Sequence, residues 1–342
     1  MKKIAVVGAG KIGYSIYSTL KNGFKVEIGD ISHKKDVIQV DASNYNDLKK
    51  WLSEDFEVVL CALPYYLIKN VAKIASELNI AYFDLTEDRE STEYVKSLKS
   101  NNVLVPQCGL APGAVSIIAS DLIKLFDKVN SVDIRVGALP LLPNNSIQYY
   151  LTWSTNGLVN EYCNLCDCIY NGKRMEVLPL EGYEKISIDG QLYEAFNTSG
   201  GIGSLCESFE NCVENLTYKT IRYVGHHKFM KFLLDDLRLS KNRELFIQLF
   251  DQVFPQTKND VVVVMVKVIG YMNGQLLEKT YYKKIYGDND QSAIQKATVA
   301  GICGVMRSWM TGEWGKTKGF VKQEEISFTN FTNNIWGDVY HA

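Results

Sequence analysis

Along the first 110 positions, apolar residues come in short runs separated by stretches with helical spacing, a pattern that predicts strands and helices in turn. Residues 2–8 (KKIAVVG) form a β-branched apolar run ending in glycine, after which Ile12, Ile16 and Leu20 repeat at i, i+4 and i+8 before Asn22-Gly23. A strand, a helix and its C-cap follow from that spacing. Phe24 to Gly29 predicts a second strand that ends at Asp30, and further strands are expected at 37–40, 57–62, 80–84 and 103–106. Leu67, Val71, Ile74 and Leu78 mark one of the intervening helices. Such βα alternation demands right-handed crossovers and a parallel sheet covered on both faces, so the expected class is α/β, doubly wound.

From about residue 125 the rhythm changes. Strand-like runs at 131–139, 261–270 and 279–286 are separated by long stretches carrying Gly, Asn and aromatic residues rather than by regular crossover helices, which predicts a separate α+β domain. Residues 290–311 resume helical spacing through Ile294, Ala297, Ile302, Val305 and Trp309, with Gly312 as a cap. This terminal helix can pack back on the first domain. No internal repeat is present.

Composition removes several classes of function. With 46% hydrophobic and 22% charged residues over 342 positions, the chain is an ordinary globular one of about two domains. Lys and Arg total 37 against 39 Asp and Glu, leaving no positive excess for a phosphate backbone, so nucleic acid is not an expected partner. The apolar run VVVVMV at 261–266 is far short of the ~20 residues a spanning helix needs. The apolar stretch after Lys2-Lys3 is too short for a secretory signal, and no membrane partner and a cytoplasmic location are expected. The eight cysteines lack the spacing of a disulfide scaffold and read as reduced thiols. Cys163, Cys166 and Cys168 lack a matching half-site for zinc, so no metal is expected.

The strongest chemical signal is GAGKIG, which places Gly8, Gly10 and Gly13 in the G-x-G-x-x-G pattern after a strand and at the opening of a helix. Gly8 permits the tight turn, Gly10 lets the backbone approach a pyrophosphate, and Gly13 lets helix and strand pack closely. The helix start at Lys11 and Ile12 then offers N–H groups and a positive dipole to the phosphates. Asp30, seventeen residues beyond Gly13, stands where a carboxylate can accept the adenosine ribose hydroxyls, or else caps the following helix. NAD is favoured over NADP, although Ser32, His33, Lys34 and Lys35 could neutralise a 2′-phosphate. Asp41-Ala42 can border the adenine, and Ala62-Leu63-Pro64 forms a turn at the carboxyl edge of the sheet. Asp84-Leu85-Thr86 and Gln107-Cys108-Gly109-Leu110-Ala111-Pro112-Gly113 occupy two further strand ends and are expected near the nicotinamide.

Six segments in order carry a family resemblance: GAGKIG, FDLTED at 83–88, CGLAPG at 108–113, TWSTNGLVNEY at 152–162, EAFNTSGG at 194–201 and KTIRYVGH at 219–226. Together they resemble the saccharopine dehydrogenase superfamily, most closely its lysine 6-dehydrogenase branch. The resemblance covers nearly the whole chain. It implies a Rossmann domain at 1–125 plus about 288–342, an inserted substrate-binding and dimerisation domain at 126–287, and a homodimer. It also implies NAD-linked oxidation of the terminal amine of L-lysine to 2-aminoadipate 6-semialdehyde, which cyclises spontaneously, with release of ammonia.

Hydride must leave a carbon bearing a neutral amine, and neutralising a free lysine amine at pH 7 costs about 4–5 kcal/mol. A base, desolvation or alkaline pH must supply this. His226, in the motif resembling the family's substrate loop, is the first candidate base, with His227 beside it. Arg222 is the expected fork for a substrate carboxylate. Asp84 either holds or deprotonates the amine, or caps. Cys108 and Gly109 are expected at the substrate, as are Trp153, Ser154, Gly157 and Asn160 as a pocket wall, while Thr198, Ser199 and Gly200 form a polar turn that can close over it. Tyr65 and Tyr66 either stack near the nicotinamide or simply pack. Val224 stands where the resembling segment carries proline, and Asn156 where related chains often carry an acid, so both bear on which amine fits. Two rivals remain: reductive condensation of an aldehyde with an amino acid or polyamine, and a non-catalytic dinucleotide sensor.

Overall fold

The computed structural model describes residues 2–312 and 314–341. In chain order the elements are β1 (Lys3–Val7), α1 (Lys11–Leu20), β2 (Lys25–Asp30), β3 (Val37–Gln39), α2 (Tyr45–Leu52), β4 (Val58–Cys61), α3 (Tyr65–Glu77), β5 (Ala81–Asp84), α4 (Arg89–Ser97), β6 (Val103–Val105) and α5 (Ala114–Ile123). There follow β7 (Lys128–Pro140), α6 (Thr155–Cys163), β8 (Cys166–Tyr170), β9 (Lys173–Val177), β10 (Glu184–Ile188), β11 (Gln191–Asn197), α7 (Leu205–Phe209) and β12 (Val213–Tyr223). Helix α8 (His226–Lys231) runs into a π-turn at Phe232–Asp236, and α9 (Arg243–Val253), β13 (Asp260–Met272), β14 (Gln275–Tyr286), α10 (Ala293–Met310) and β15 (Gly319–Phe320) complete the named elements. The chain forms two compact units, residues 1–117 with 297–341, and residues 118–296.

The first unit holds a seven-stranded parallel sheet in the order β15-β6-β5-β4-β1-β2-β3. This is the doubly wound α/β architecture. Chain order reverses between β1 and β4, and in open sheets of this kind ligands lie outside the carboxyl ends of the strands at that switch point. Strands buried on both faces read as unbroken apolar runs. Val58 to Cys61 and Ala81 to Asp84 are buried at every position. Ala5, Val7, Val59, Cys61, Tyr82 and Leu104 share one core with Leu48 and Trp51 of α2 and Val71 and Ile74 of α3. Asn44 caps α2 through the amides of Asn46 and Asp47, and Asp88 caps α4 through Ser91.

The second unit is built on an eight-stranded sheet. Its path is β10-β11-β12-β7-β13-β14, with β8 and β9 attached beside β12. Only β7 and β12 run parallel; the other pairs are antiparallel. The runs expected at 131–139, 261–270 and 279–286 are the cores of β7, β13 and β14, longer than the apolar pattern because their ends alternate with polar residues. Helices occur here too, in an α+β arrangement rather than as regular crossovers of a parallel sheet. The α6 and α9 helices pack Leu158, Val159 and Tyr162 against Phe246 and Phe250 in a core of their own. Aromatic residues carry that core, so its helical period is hidden among residues equally suited to strands.

Among the described residues no helix is long and apolar enough to cross a membrane. All eight cysteines are unpaired thiols. Among the described residues no group of three His, Cys, Asp or Glu could hold a metal ion.

Candidate active site

The turn after β1 is shaped by steric exclusion. Gly8 has φ of 104°, and a Cβ there would lie 2.8 Å from the Ala62 carbonyl oxygen and 3.0 Å from Leu63 Cδ2. A Cβ on Gly13 would lie 1.9 Å from the Gly8 carbonyl oxygen, so α1 reaches the strand only because that atom is missing. Gly10 differs: a Cβ there would meet no protein atom within 4 Å, and the residue is exposed. Packing does not explain that glycine, whereas a ligand's phosphate lying against the turn does. No side chain caps α1 at Gly10, and its first turn carries no acid. Lys11 is exposed and Ile12 half-buried at this helix start.

Asp30 closes the other side of the turn. Its Oδ2 accepts the Ala9 amide at 2.6 Å and its Oδ1 the Ser32 amide at 2.8 Å, while Lys34 Nζ donates to the Ala9 carbonyl at 2.7 Å. Partial burial pushes the carboxyl up, but the hydrogen bonds from Ala9 and Ser32 and the charge of Lys34 outweigh it and hold Asp30 below its usual range. It stays ionised, with lone pairs left for ribose hydroxyls. Asp30 caps no helix. Asp41 instead organises its own turn, accepting from the amide and hydroxyl of Ser43, and Ala42 is buried in the core between α2 and the sheet. Ala62 and Leu63 are half-buried beside Gly8, and Pro64 opens α3, followed by the exposed pair Tyr65 and Tyr66.

At the next strand ends the side chains turn inward. Asp84 is fully buried: its Oδ2 accepts the Tyr82 hydroxyl at 2.8 Å, and its Oδ1 accepts the amides of Thr86 at 2.8 Å and Gln107 at 3.1 Å. It ties the exits of β5 and β6 together. Burial raises its pKa to about 6 against the pull of those bonds. The expectation that Asp84 meets the amine is corrected accordingly, because no oxygen of it is free of the fold. Cys108 is likewise corrected. Its thiol donates to the Val105 carbonyl at 3.1 Å, takes the Gln323 amide at 3.4 Å, and is pushed up by burial, so it neither touches a ligand nor ionises. Gly109 and Gly113 allow the 108–113 loop to fold on itself, since a Cβ on Gly113 would lie 2.1 Å from the Gly109 carbonyl oxygen. Gly301 of α10 rests on the same loop, with a would-be Cβ 2.4 Å from that oxygen. Leu85 lies against Gly109, Thr86 Oγ1 accepts the Asp88 amide, and Leu110, Ala111 and Pro112 lead into α5.

In the second unit the polar centre is Arg222, on β12 and 2% exposed. Its Nε donates to the Tyr162 hydroxyl at 2.9 Å, its Nη1 to the Ile221 carbonyl at 2.9 Å, and its Nη2 lies 3.6 Å from Glu161 Oε2. The guanidinium carbon stands 5.3 Å from the ring centre of Tyr149 and 5.8 Å from that of Tyr162, so two π-faces help offset its desolvation. Beside this guanidinium Tyr149 Oη and Glu161 Oε2 are buried without a hydrogen-bond partner, and the same holds in this unit of Asn130 Oδ1, Thr152 Oγ1 and Thr198 Oγ1. Natural interiors rarely leave such atoms orphaned unless a ligand or water completes them.

His226 is fully buried, with Nδ1 3.0 Å from the Ile147 carbonyl and Nε2 3.0 Å from the Tyr162 hydroxyl. A carbonyl only accepts, so Nδ1 carries the proton and Nε2 receives the Tyr162 O–H. The chain therefore runs from Arg222 Nε–H to Tyr162 Oη, from Tyr162 O–H to His226 Nε2, and from His226 Nδ1–H to Ile147 O. Burial, then the charge of Arg222, push the imidazole down to about 3. The expected base at His226 is corrected: this ring is a neutral link that orients Tyr162. His227 points elsewhere, toward the Leu180 carbonyl at 2.6 Å, and Glu194 accepts the amides of Gly225 and His227.

The remaining expected residues divide. Ser154 is the N-cap of α6, accepting the Gly157 amide at 3.3 Å, and Trp153 packs its ring where a Gly157 Cβ would sit. Both are corrected from pocket wall to helix support. Asn160 accepts the Ser199 hydroxyl on its carbonyl at 2.9 Å, and the Ser199 amide reaches the Glu161 carbonyl at 3.0 Å, which brings the 198–200 turn onto α6. Sequence reasoning passed over Tyr149, Glu161 and Tyr162. One signal was available: Leu158, Val159 and Tyr162 form the buried stripe of α6, and Glu161 is an acid on its edge.

The doubly wound sheet with a glycine turn and strand-end acid defines the first unit as a Rossmann-type domain. Residues 109–338 match the family described as the saccharopine dehydrogenase C-terminal domain, and the chain belongs to that family. Solved structures agree in fold. The chain is similar to apo saccharopine dehydrogenase (L-Glu forming) from Saccharomyces cerevisiae, with a TM-score of 0.76, 16% identity, and 97% of this chain and 96% of that one covered. It is also similar to the homospermidine synthase of Legionella pneumophila in complex with NAD, with a TM-score of 0.66, 14% identity, and coverage of 99% and 89%. Against the DAP dehydrogenase of C. glutamicum in complex with DAP the TM-score is 0.53 at 10% identity, over 99% and 98% of the two chains.

Proposed function

We propose that the chain is a nicotinamide-dinucleotide-dependent oxidoreductase acting on a CH–NH2 group, and that it oxidises the terminal amine of L-lysine, hydride passing to NAD to give NADH and water hydrolysing the resulting imine to 2-aminoadipate 6-semialdehyde and ammonia. The observation that carries this reading is Arg222, buried beside Tyr149 and Glu161, whose Oη and Oε2 have no hydrogen-bond partner. A buried guanidinium with spare N–H groups fits a carboxylate. Two arginines are buried among the described residues, and Arg135 is already held by Glu184 and Asp133. One anchor favours a substrate with one carboxylate over a product with several, such as the three-carboxylate product of the semialdehyde and glutamate.

The glycine turn fits a dinucleotide, because Gly10 leaves open the side a pyrophosphate needs, and the ionised Asp30 supports NAD over NADP. When bound, the nicotinamide supplies a hydride acceptor. The chain's own residues bind and orient. Arg222 takes the carboxylate, while Tyr162 and His226 hold the guanidinium in place. Since His226 stays neutral, it adds no positive charge to oppose a cationic substrate, and burial of the amine lowers its proton affinity. A homodimer in the cytoplasm belongs to the same proposal.

Purified protein given NAD or NADP with a panel of amines, and then the semialdehyde with ammonia, lysine or glutamate, tests this reading. NADH formation from lysine supports it. NADH consumption only with the semialdehyde plus glutamate or lysine replaces it by reductive condensation, and dinucleotide binding without any turnover replaces it by a sensor.

A further inference from the structure

The spacing of the two charges in the Arg222 pocket says more than that a carboxylate fits. We infer that Arg222 and Glu161 together read the head of an α-amino acid, Arg222 taking the carboxylate and Glu161 the α-ammonium, so that the reacting group must lie at the other end of the substrate. The inference rests on the reading of this pocket as the substrate site.

Arg222 Nη2 and Glu161 Oε2 are 3.6 Å apart, too long for a hydrogen bond and close enough for two opposite charges to be bridged by a ligand carrying both. In an α-amino acid the ammonium nitrogen and the nearer carboxylate oxygen are about 3 Å apart, fixed by bonds to the same carbon. A head group of that size, with each charge at hydrogen-bond distance from its protein partner, closes a four-cornered arrangement at the present spacing of the two side chains. The terminal amine of an extended lysine lies ~6 Å or more from the carboxylate and cannot span the same pair. An ω-amino acid or a diamine would leave one of the two buried charges unanswered.

Three further features belong to this arrangement. Glu161 Oε2 has no hydrogen-bond partner although it is enclosed, and its side chain is 12% exposed. Arg222 is fixed by Tyr162 and the Ile221 carbonyl, so its charge is held before any ligand arrives, and the backbone of Glu161 is anchored by the Ser199 amide at 3.0 Å. The hydroxyl of Tyr149, whose ring faces the guanidinium, is unpartnered too and can complete a remaining position on the carboxylate. A pocket meant only to neutralise Arg222 would let Glu161 close the gap.

L-Norleucine has the α-amino-acid head and no terminal amine, and hexanoate has the carboxylate alone. Calorimetric titration of the full chain with each, with NAD present and again without it, tests the head site whether or not lysine is oxidised. Norleucine is expected to bind roughly 30-fold more tightly than hexanoate, the cost of leaving a buried charge unpaired. Glu161→Gln is expected to remove that preference while leaving hexanoate binding within about threefold, and circular dichroism and thermal melting of the variant verify its fold. Equal binding of norleucine and hexanoate by the unaltered protein overturns the inference without any variant, as does a preference that survives Glu161→Gln. In turnover, lysine should exceed both 6-aminohexanoate and cadaverine by a similar factor. Absence of turnover with norleucine still preferred would sink the lysine oxidation reading and leave the head site standing.

Discussion

The Tyr162 hydroxyl and His226 Nε2 meet at 3.0 Å in a fully buried setting, and the direction of that bond decides what His226 can do. Because Nδ1 must donate to Ile147, Nε2 must accept, and a ring that already accepts a hydroxyl proton while lying beside Arg222 does not collect another near neutrality. Tyr162→Phe would leave both the Arg222 Nε–H and His226 Nε2 without partners, at a cost of about 2–3 kcal/mol in stability. Lysine KM should rise well above kcat's change, since the oriented guanidinium is lost rather than a proton carrier. The kcat/KM profile should show no inflection removed by His226→Asn between about pH 6 and 8, where an ordinary imidazole titrates. A lost inflection there would restore His226 as the base.

Gly10 and Gly13 separate ligand space from protein space. Gly10 has φ of −68°, which alanine adopts freely, and its Cβ meets nothing. Gly10→Ala should therefore leave thermal stability unchanged or slightly raised while weakening NAD at least about tenfold by titration. Gly13→Ala drives a methyl into the Gly8 carbonyl and should lower the melting temperature as well. Unchanged NAD affinity in Gly10→Ala would mean that the pyrophosphate does not lie against this turn.

Asp30 does two jobs at once, holding the Ala9 amide and leaving lone pairs for a ribose. Asp30→Ala should weaken NAD by roughly tenfold or more, the value of charge-assisted hydrogen bonds. NADP should lose much less, because the removed charge repels its 2′-phosphate and Lys34 remains beside it. Lys34→Gln should shift the ratio the other way. Equal losses for the two dinucleotides would show that the carboxylate acts only on the turn.

The first unit was legible because its signals are local. Gly8, Gly10, Gly13 and Asp30 lie within one βαβ segment, and the central strands β1, β4, β5 and β6 are short apolar runs whose burial on both faces leaves a mark in the sequence. The second site was only half legible. Arg222 and His226 come from one segment, but Tyr149, Glu161 and Tyr162 reach them from α6 and its preceding loop, and contact between elements far apart in the chain carries no local spacing. Asp84 and Cys108 misled for a physical reason: the carboxyl end of a strand is where ligand groups sit, but it is also where two crossovers must be tied together, and a buried carboxylate accepting backbone amides does that.

Glu161 adds a pH dependence to binding. Burial pushes its carboxyl up to about 7, against the pull of Arg222. Its anion is the form that pairs with an ammonium, so affinity for norleucine should fall as pH drops below about 7, by up to about tenfold per pH step of one until the roughly 30-fold preference over hexanoate is spent. The groups facing it are Arg222, Tyr149, Tyr162 and Cys166; all four are raised, Cys166 to about 12, and none changes charge in this range. Titrations spanning neutral pH on both sides should show the fall in the unaltered protein and a flat line in Glu161→Gln. The same flat line in both would remove Glu161 from the head site.

Asp84 makes the opposite demand on the fold. Its folded pKa of about 6 lies above the ordinary 3.8, so between those values the folded protein holds a proton that the unfolded chain has released. The resulting stabilisation is complete below about pH 4 and is lost as pH rises through about 6, an effect of about 3 kcal/mol over that interval. Asp84→Asn keeps an oxygen for the amides of Thr86 and Gln107, and the Tyr82 hydroxyl can rotate to accept from the new amide. The variant should therefore fold, match or exceed the parent above about pH 7, and lose that advantage toward about pH 4. His226, with its pKa depressed to about 3 from 6.5, contributes a stability that is present above 6.5 and lost as pH falls, but it does so in both proteins. The difference between the two denaturation curves therefore isolates Asp84, and a difference that stays constant from about pH 4 to 7 would show that the carboxyl is not desolvated in the folded protein.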